Sequence, residues 1–166
     1  MGDWFELRPV GLEFLEEAPM CVAIEVDTPL SRRQVWDAFT DPTSWRDWFP
    51  SVRDASYPDA TPPYGVGTKR WADVDGQIFE ETMLAWDDLE RWTYRIDRTT
   101  APLAHAQVES TELSESPDGG TRVRWILASD PREAFEAARD VLPEILERRL
   151  DTALRNLEQC LQSPGA

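Results

Sequence analysis

The residues best placed to do chemistry are Arg70 and Glu81, because the turn between them sets them face to face. Asp75-Gly76 has the composition of a two-residue type I′ hairpin loop, in which both central residues need positive φ. Such a loop pairs Val74 with Gln77, Ala72 with Phe79 and Arg70 with Glu81, then Thr68 with Met83 and Val66 with Ala85. Directly opposed residues hold their Cβ atoms about 4.5–5.5 Å apart, within reach of a bidentate guanidinium–carboxylate contact. This face of the hairpin is its more apolar one, so the pair is expected to point inward. Two roles fit it. One is a structural ion pair that fixes register. The other is a ligand site in which Arg70 meets a carbonyl or carboxylate while an acidic group or His105 handles protons.

The next strands bring further candidates to the same face. Trp92, Tyr94 and Ile96 alternate with Thr93 and Arg95. A connection through Asp87–Glu90 sets Met83 opposite Tyr94, Ala85 opposite Trp92 and Ile96 beside Glu81. Farther on, a three-residue Pro117-Asp118-Gly119 loop with Gly119 left-handed directs Leu113, Thr111, Glu109, Gln107 and His105 inward. A four-residue loop, which Gly120 permits, reverses that strand. Glu109 is then a third member beside Arg70 and Glu81, and the candidates for catalysis are Arg70, Glu81, His105 and Glu109. His105 is the only histidine; without a neighbouring Ser, Cys or metal ligand, such a residue is more often structural. No Gly-x-Ser-x-Gly elbow is present, Gly65-Val66-Gly67 is too short for a phosphate loop, and Cys21 and Cys160 lack metal-ligand spacing. No metal or nucleotide cofactor is expected.

The elements that must carry these residues follow from periodicity and punctuation. Cys21–Asp27 alternates Val22, Ile24 and Val26 with polar or small residues, a half-buried strand. Ser31-Arg32-Arg33-Gln34 is a capping box opening a helix with Val35, Trp36 and Phe39 on one face. Asp41-Pro42 ends it, and Thr43–Phe49 makes a second short helix. Residues 52–128 read as strands and turns. Asp130-Pro131-Arg132-Glu133 reads as the start of the last helix, which Pro143 kinks or restarts. Beyond it Ile145, Leu146, Leu150, Leu154, Leu157 and Leu161 form one apolar stripe about 30 Å long. One amphipathic helix cannot cover six flat strands. The fold class is therefore α+β: a helix-grip fold, with a curved antiparallel sheet of about six to seven strands wrapped around a long C-terminal helix. Residues 1–20 form an extension packing on the outside, 21–162 the ligand-binding domain, and 163–166 a tail.

Composition excludes several classes of function. The chain has 166 residues and 32 acidic against 17 basic side chains, for a net charge of −15. That balance disfavours nucleic acid, whose phosphates need clustered cations, and anionic membrane surfaces. No segment approaches a transmembrane span, and two cysteines are too few for a disulfide framework. A cytoplasmic, acidic protein is expected, as monomer or homodimer.

Three groups of residues carry a family resemblance. They are Val35-Trp36-Asp37-Ala38-Phe39-Thr40-Asp41-Pro42, Trp45-Arg46-Asp47-Trp48-Phe49-Pro50, and Gly65-Val66-Gly67-Thr68. With Gly119-Gly120-Thr121-Arg122-Val123 and the terminal helix, the chain resembles the START-like (Bet v 1-like, SRPBCC) superfamily over residues 21–162, in its polyketide cyclase/dehydrase and lipid-transport branch. The resemblance implies an internal cavity for a small hydrophobic ligand: a lipid, polyketide, quinone-like or aromatic compound. Its expected lining is Arg70, Phe79, Glu81, Met83, Tyr94, Gln107, Glu109, Thr111, Trp125, Ile145 and Leu146. The alternatives are a polyketide cyclase/dehydratase-type enzyme acting in that cavity, and a protein-interaction module whose cavity has collapsed.

Overall fold

The computed structural model describes residues 3–163. Residues 1–2 of the extension and 164–166 of the tail lie outside that span. β1 (Phe5–Glu6) and α1 (Phe14–Glu17) precede β2 (Met20–Thr28). Ser31 caps α2 (Arg32–Thr40) through the reciprocal bonds of a capping box with Gln34. A 3₁₀ turn (Pro42–Ser44) leads into α3 (Trp45–Trp48), so the second short helix begins as 3₁₀. Then come β3 (Val52–Ser56), β4 (Lys69–Val74), β5 (Gln77–Asp87), β6 (Arg91–Thr99), β7 (Ala104–Glu115) and β8 (Thr121–Pro131). α4 (Glu133–Glu136) and α5 (Leu142–Gln162) end the chain.

The strands form one antiparallel sheet in the order β2-β8-β7-β6-β5-β4-β3, with the two-residue β1 added beside β6. Extra residues interrupt the ladder at Arg53, Leu84, Asp97 and His105. Each such bulge bends its strand and increases the twist, which is what curls a sheet around a helix. The concave side carries Val22, Ile24, Val123 and Leu127 against Leu150, Ala153, Leu154 and Leu157 of α5, all buried. On the convex side Phe14 packs against Ala106, Val108 and Ala128. The N-terminal segment thus covers the outside of the sheet.

Turn chemistry set the register as expected in both hairpins. Asp75 and Gly76 have φ of 54° and 83°, and Val74 pairs Gln77, Ala72 pairs Phe79 and Arg70 pairs Glu81. Gly119 has φ of 88°, and Ser116 N–H bonds Gly120 O at 3.1 Å, closing the three-residue loop. Gly120 is required for another reason: a Cβ there would lie 2.0 Å from the carbonyl oxygen of Thr28.

Several expectations need correction. Val66 is 71% exposed and does not pair inward with Ala85. The extra residue Leu84 shifts the β5–β6 register, so Ala85 pairs Thr93 and Trp86 stands beside Trp92. Asp130 and Pro131 belong to β8, Arg132 is the N-cap of α4, and Asp130 accepts instead from Arg8. Pro143 restarts the helix: it lies in the first turn of α5, where its missing N–H has no partner to lose. At the stripe's edges, Ile145 and Leu161 are 47% and 44% exposed.

Candidate ligand cavity

Between α5, α3 and the concave sheet lies a cavity of about 250 Å³. β4 and β5 bring Arg70, Phe79 and Glu81 to it, and β6 brings Tyr94. β7 supplies Gln107 and Glu109, β8 supplies Trp125, and α5 supplies Ile145 and Leu146. Half-exposed Ile145 and partly buried Phe135 mark the open end.

The charged floor follows from the hairpin register. Arg70 and Glu81 are 2% and 4% exposed, and Arg70 Nε donates to Glu81 Oε2 at 2.5 Å. The guanidinium is caged by rings, its Cζ standing 4.5 Å from the centre of Trp45, 4.6 Å from Trp92 and 4.3 Å from Tyr94. Aromatic faces attract a desolvated cation, and Arg is the cation best suited to stacking. Burial pushes the Glu81 carboxyl upward; Arg70 opposes that shift only in part, and Glu109 adds to it. Burial alone would lower Arg70, but the Glu81 carboxylate outweighs that and keeps the guanidinium charged.

Glu109 is held differently, by three neutral donors. Gln107 Nε2 reaches its Oε1 at 2.7 Å, while Tyr94 Oη and Trp125 Nε1 reach its Oε2 at 2.8 and 3.0 Å. Burial first, and then the two carboxylates, push the Tyr94 phenol well above its ordinary range, so it remains a donor. The Gln107 amide nitrogen must face the carboxylate, which only accepts, so its Oε1 is turned away. Among the described residues, two buried atoms of cavity-lining side chains have no partner: Gln107 Oε1 and Arg70 Nη1. Leaving a buried polar atom unsatisfied costs about 1–3 kcal/mol.

Not every expected residue reaches the cavity. His105 is the extra residue of a bulge between Ala104 and Ala106 and is exposed, so the alternation that was to bring it inward breaks one residue short. Met83 and Thr111 are buried but lie outside the lining; Met83 Sδ accepts from Trp92 Nε1 at 3.1 Å within the core. The lining also includes residues that strand reasoning did not select. Trp45 and Phe49 come from the helical segment, where all tryptophans read alike as core. Ala72, Val74 and Ile96 sit on the face already identified. Arg149 was legible as a cation three residues after Leu146 and four after Ile145 on α5.

A broader polar depression of about 950 Å³ is lined by Lys69, Glu80, Asp97 and Arg98 among others. Four of its charges pair with one another, Lys69 with Asp97 at 2.9 Å and Arg98 with Glu80 at 2.7 Å. No helix among the described residues is long and apolar enough to cross a membrane.

Comparison with known proteins matches this architecture. A family model described as polyketide cyclase / dehydrase and lipid transport matches residues 19–162. Uncharacterized proteins of Mycobacterium tuberculosis and Mycobacterium bovis are 27% identical over 151 residues, spanning 90% of this chain and 89% of theirs. A START superfamily protein from Mycobacterium smegmatis superposes with a TM-score of 0.69 at 12% identity, covering 84% of this chain and 97% of its own. The Zhui aromatase/cyclase from Streptomyces sp. R1128 gives 0.66 at 19% identity, covering 88% and 98%. At such identities the two structures share the fold alone.

Proposed function

The chain belongs to the polyketide cyclase / dehydrase and lipid transport family, and from that premise we propose that it binds a small apolar ligand whose polar head sits on Arg70 and Gln107. One observation carries the reading. Arg70 and Gln107 line an otherwise largely apolar cavity, and among the described residues neither Arg70 Nη1, a buried donor, nor Gln107 Oε1, a buried acceptor, has a protein partner. A ligand with an acceptor oxygen and a hydroxyl donor satisfies both, recovering the energy that each unpartnered atom costs. Phe79, Tyr94, Trp125, Ile145 and Leu146 supply apolar and aromatic wall. A space of about 250 Å³ favours a compact ring system over a long acyl chain. The open interior favours ligand binding over an interaction module with a collapsed cavity.

A second reading rests on the Tyr94–Glu109 bond. A carboxylate and a phenol beside a fixed guanidinium could move protons on a carbonyl substrate, Arg70 stabilising the enolate oxygen as Glu109 takes the proton. This is the cyclase/dehydratase alternative, with Glu81 as a further acid; His105 has no part in it.

The test of binding is calorimetric titration with hydroxylated and unhydroxylated bicyclic aromatics such as 2-naphthol and naphthalene. Saturable binding with a preference for the hydroxyl is expected, and the preference should vanish in the Arg70→Met, Glu81→Leu double variant but persist in His105→Ala. Absence of saturable binding across such a panel refutes the reading. If instead Glu109→Gln retains binding but abolishes turnover of a bound carbonyl substrate, the enzymatic reading holds.

A further inference from the structure

Arg149 is the one cavity-lining charge that the floor of the site does not explain. It lies on α5, one turn beyond Ile145 at the open end, and is half-buried. Its helix neighbours are paired: Arg148 with Glu144 at 2.6 Å and Arg155 with Asp151 at 3.0 Å. Among the described residues no carboxylate lies within 4.0 Å of Arg149, in a chain with nearly two acidic residues for every basic one. A cation left unpaired against such a background, and facing a cavity, is complementary to an anion that arrives with a ligand.

The floor of the cavity points the same way by exclusion. Arg70 is the only cation there and already holds Glu81, while Glu109 is a second buried carboxylate with neutral donors alone. The floor therefore already holds two buried acidic side chains and one guanidinium. Adding a third anion at that depth means burying unbalanced negative charge, which a low-dielectric site resists. A carboxylate on Arg70, one of the options read from the sequence, is therefore disfavoured.

We infer that the natural ligand is a compact acid bound in one orientation, its neutral hydroxyl or carbonyl on Arg70 and Gln107 and its acidic group at the mouth on Arg149. This rests on the binding function proposed above and adds the ligand's charge and direction. The acid stays partly hydrated at the rim, where a salt bridge forms without the full cost of desolvation.

The test uses three probes on the whole chain: 6-hydroxy-2-naphthoate, its primary amide and unsubstituted 2-naphthol. Calorimetry should show the acid binding more tightly than the amide, by about fivefold at low salt for a partly exposed ion pair. Arg149→Gln should erase that advantage while leaving the amide and 2-naphthol within about twofold of the wild type, because Arg149 has no ion-pair partner to lose among the described residues. An acid advantage that survives in Arg149→Gln, or an amide that binds the wild type as tightly as the acid, overturns the inference while leaving cavity binding intact. Failure of all three probes to bind overturns both. Thermal melting of Arg149→Gln within about 2 °C of the wild type shows that the comparison is between folded proteins.

Discussion

Removing the Arg70 side chain is the perturbation whose size the structure determines best. The guanidinium contacts Glu81 through Nε and lies within 4.6 Å of three aromatic ring centres. Arg70→Ala leaves the Glu81 carboxylate, 4% exposed in the wild type, near Glu109 and without a counter-ion. Breaking a buried pair by deleting one partner costs about 3–5 kcal/mol. Loss of the aromatic cage, worth about 0.5–2 kcal/mol per desolvated contact, moves the expected value to the top of that range. At about 2–4 °C per kcal/mol for a chain of this size, Tm should fall by about 10–20 °C. The deficit should also depend on pH. Arg70 partly opposes the burial that raises the Glu81 pKa, so removing it lifts the folded-state value further above the unfolded one of about 4.3 than in the wild type, and protonation favours the variant's fold more. That stabilisation is full below the unfolded value and is lost as pH rises through the folded one, so the variant should lag most at pH 7–8 and least near pH 4.5. Arg70→Met with Glu81→Leu removes both charges, leaves Glu109 its three donors, and should return to within about 1–2 kcal/mol of the wild type. Denaturant titration at several pH values measures all of this. An Arg70→Ala protein as stable as the wild type, or a double variant no better than the single one, would refute the account of a buried, mutually neutralising pair.

Two further predictions concern the scaffold. Truncation after Val141 removes buried Leu142, Leu146, Leu150, Leu154 and Leu157, worth about 1.5–3 kcal/mol each; that sum matches or exceeds the stability of a typical domain, so circular dichroism should show an unfolded chain, and a cooperative melt at the wild-type temperature would refute it. On the outer face, burial alone would raise the Asp97 carboxyl, but donors from Arg95, Thr82 and Lys69 outweigh it and hold the group below its ordinary range. A depressed folded-state pKa stabilises above the unfolded value of about 3.9 and is lost as pH falls through the folded one. Asp97→Asn should therefore be less stable than the wild type at pH 7, with the gap closing below pH 4; a gap independent of pH would refute this.

The buried pair was legible in the sequence because a two-residue Asp-Gly loop admits one register, and that register faces Arg70 to Glu81 wherever the hairpin sits. The three-residue loop ending at Gly119 likewise fixed which side of β7 carries Gln107 and Glu109. The capping box at Ser31 and the leucine spacing of α5 are equally local and were equally readable. Bulges were not. Leu84, Asp97 and His105 are inserted where the sheet must bend around α5, and the strain that selects those positions belongs to the whole curved sheet. One extra residue reversed Ala85 and Trp86, and another left the only histidine outside the site. Tertiary packing likewise decided that Met83 and Thr111 fill core while Trp45, Phe49 and Arg149 reach the cavity, since that depends on how helices from distant parts of the chain settle on the sheet. Which polar atoms stay unpartnered was also beyond the sequence: Gln107 Oε1 is free because Glu109 claims the amide's other end, and Arg70 Nη1 because Glu81 engages Nε. Sequence alone determined most of the elements and the inward-facing charges, because turns and periodicity act over a few residues; the cavity's lining and its two unpartnered atoms exist only once strands β3 to β8 converge with α3 and α5.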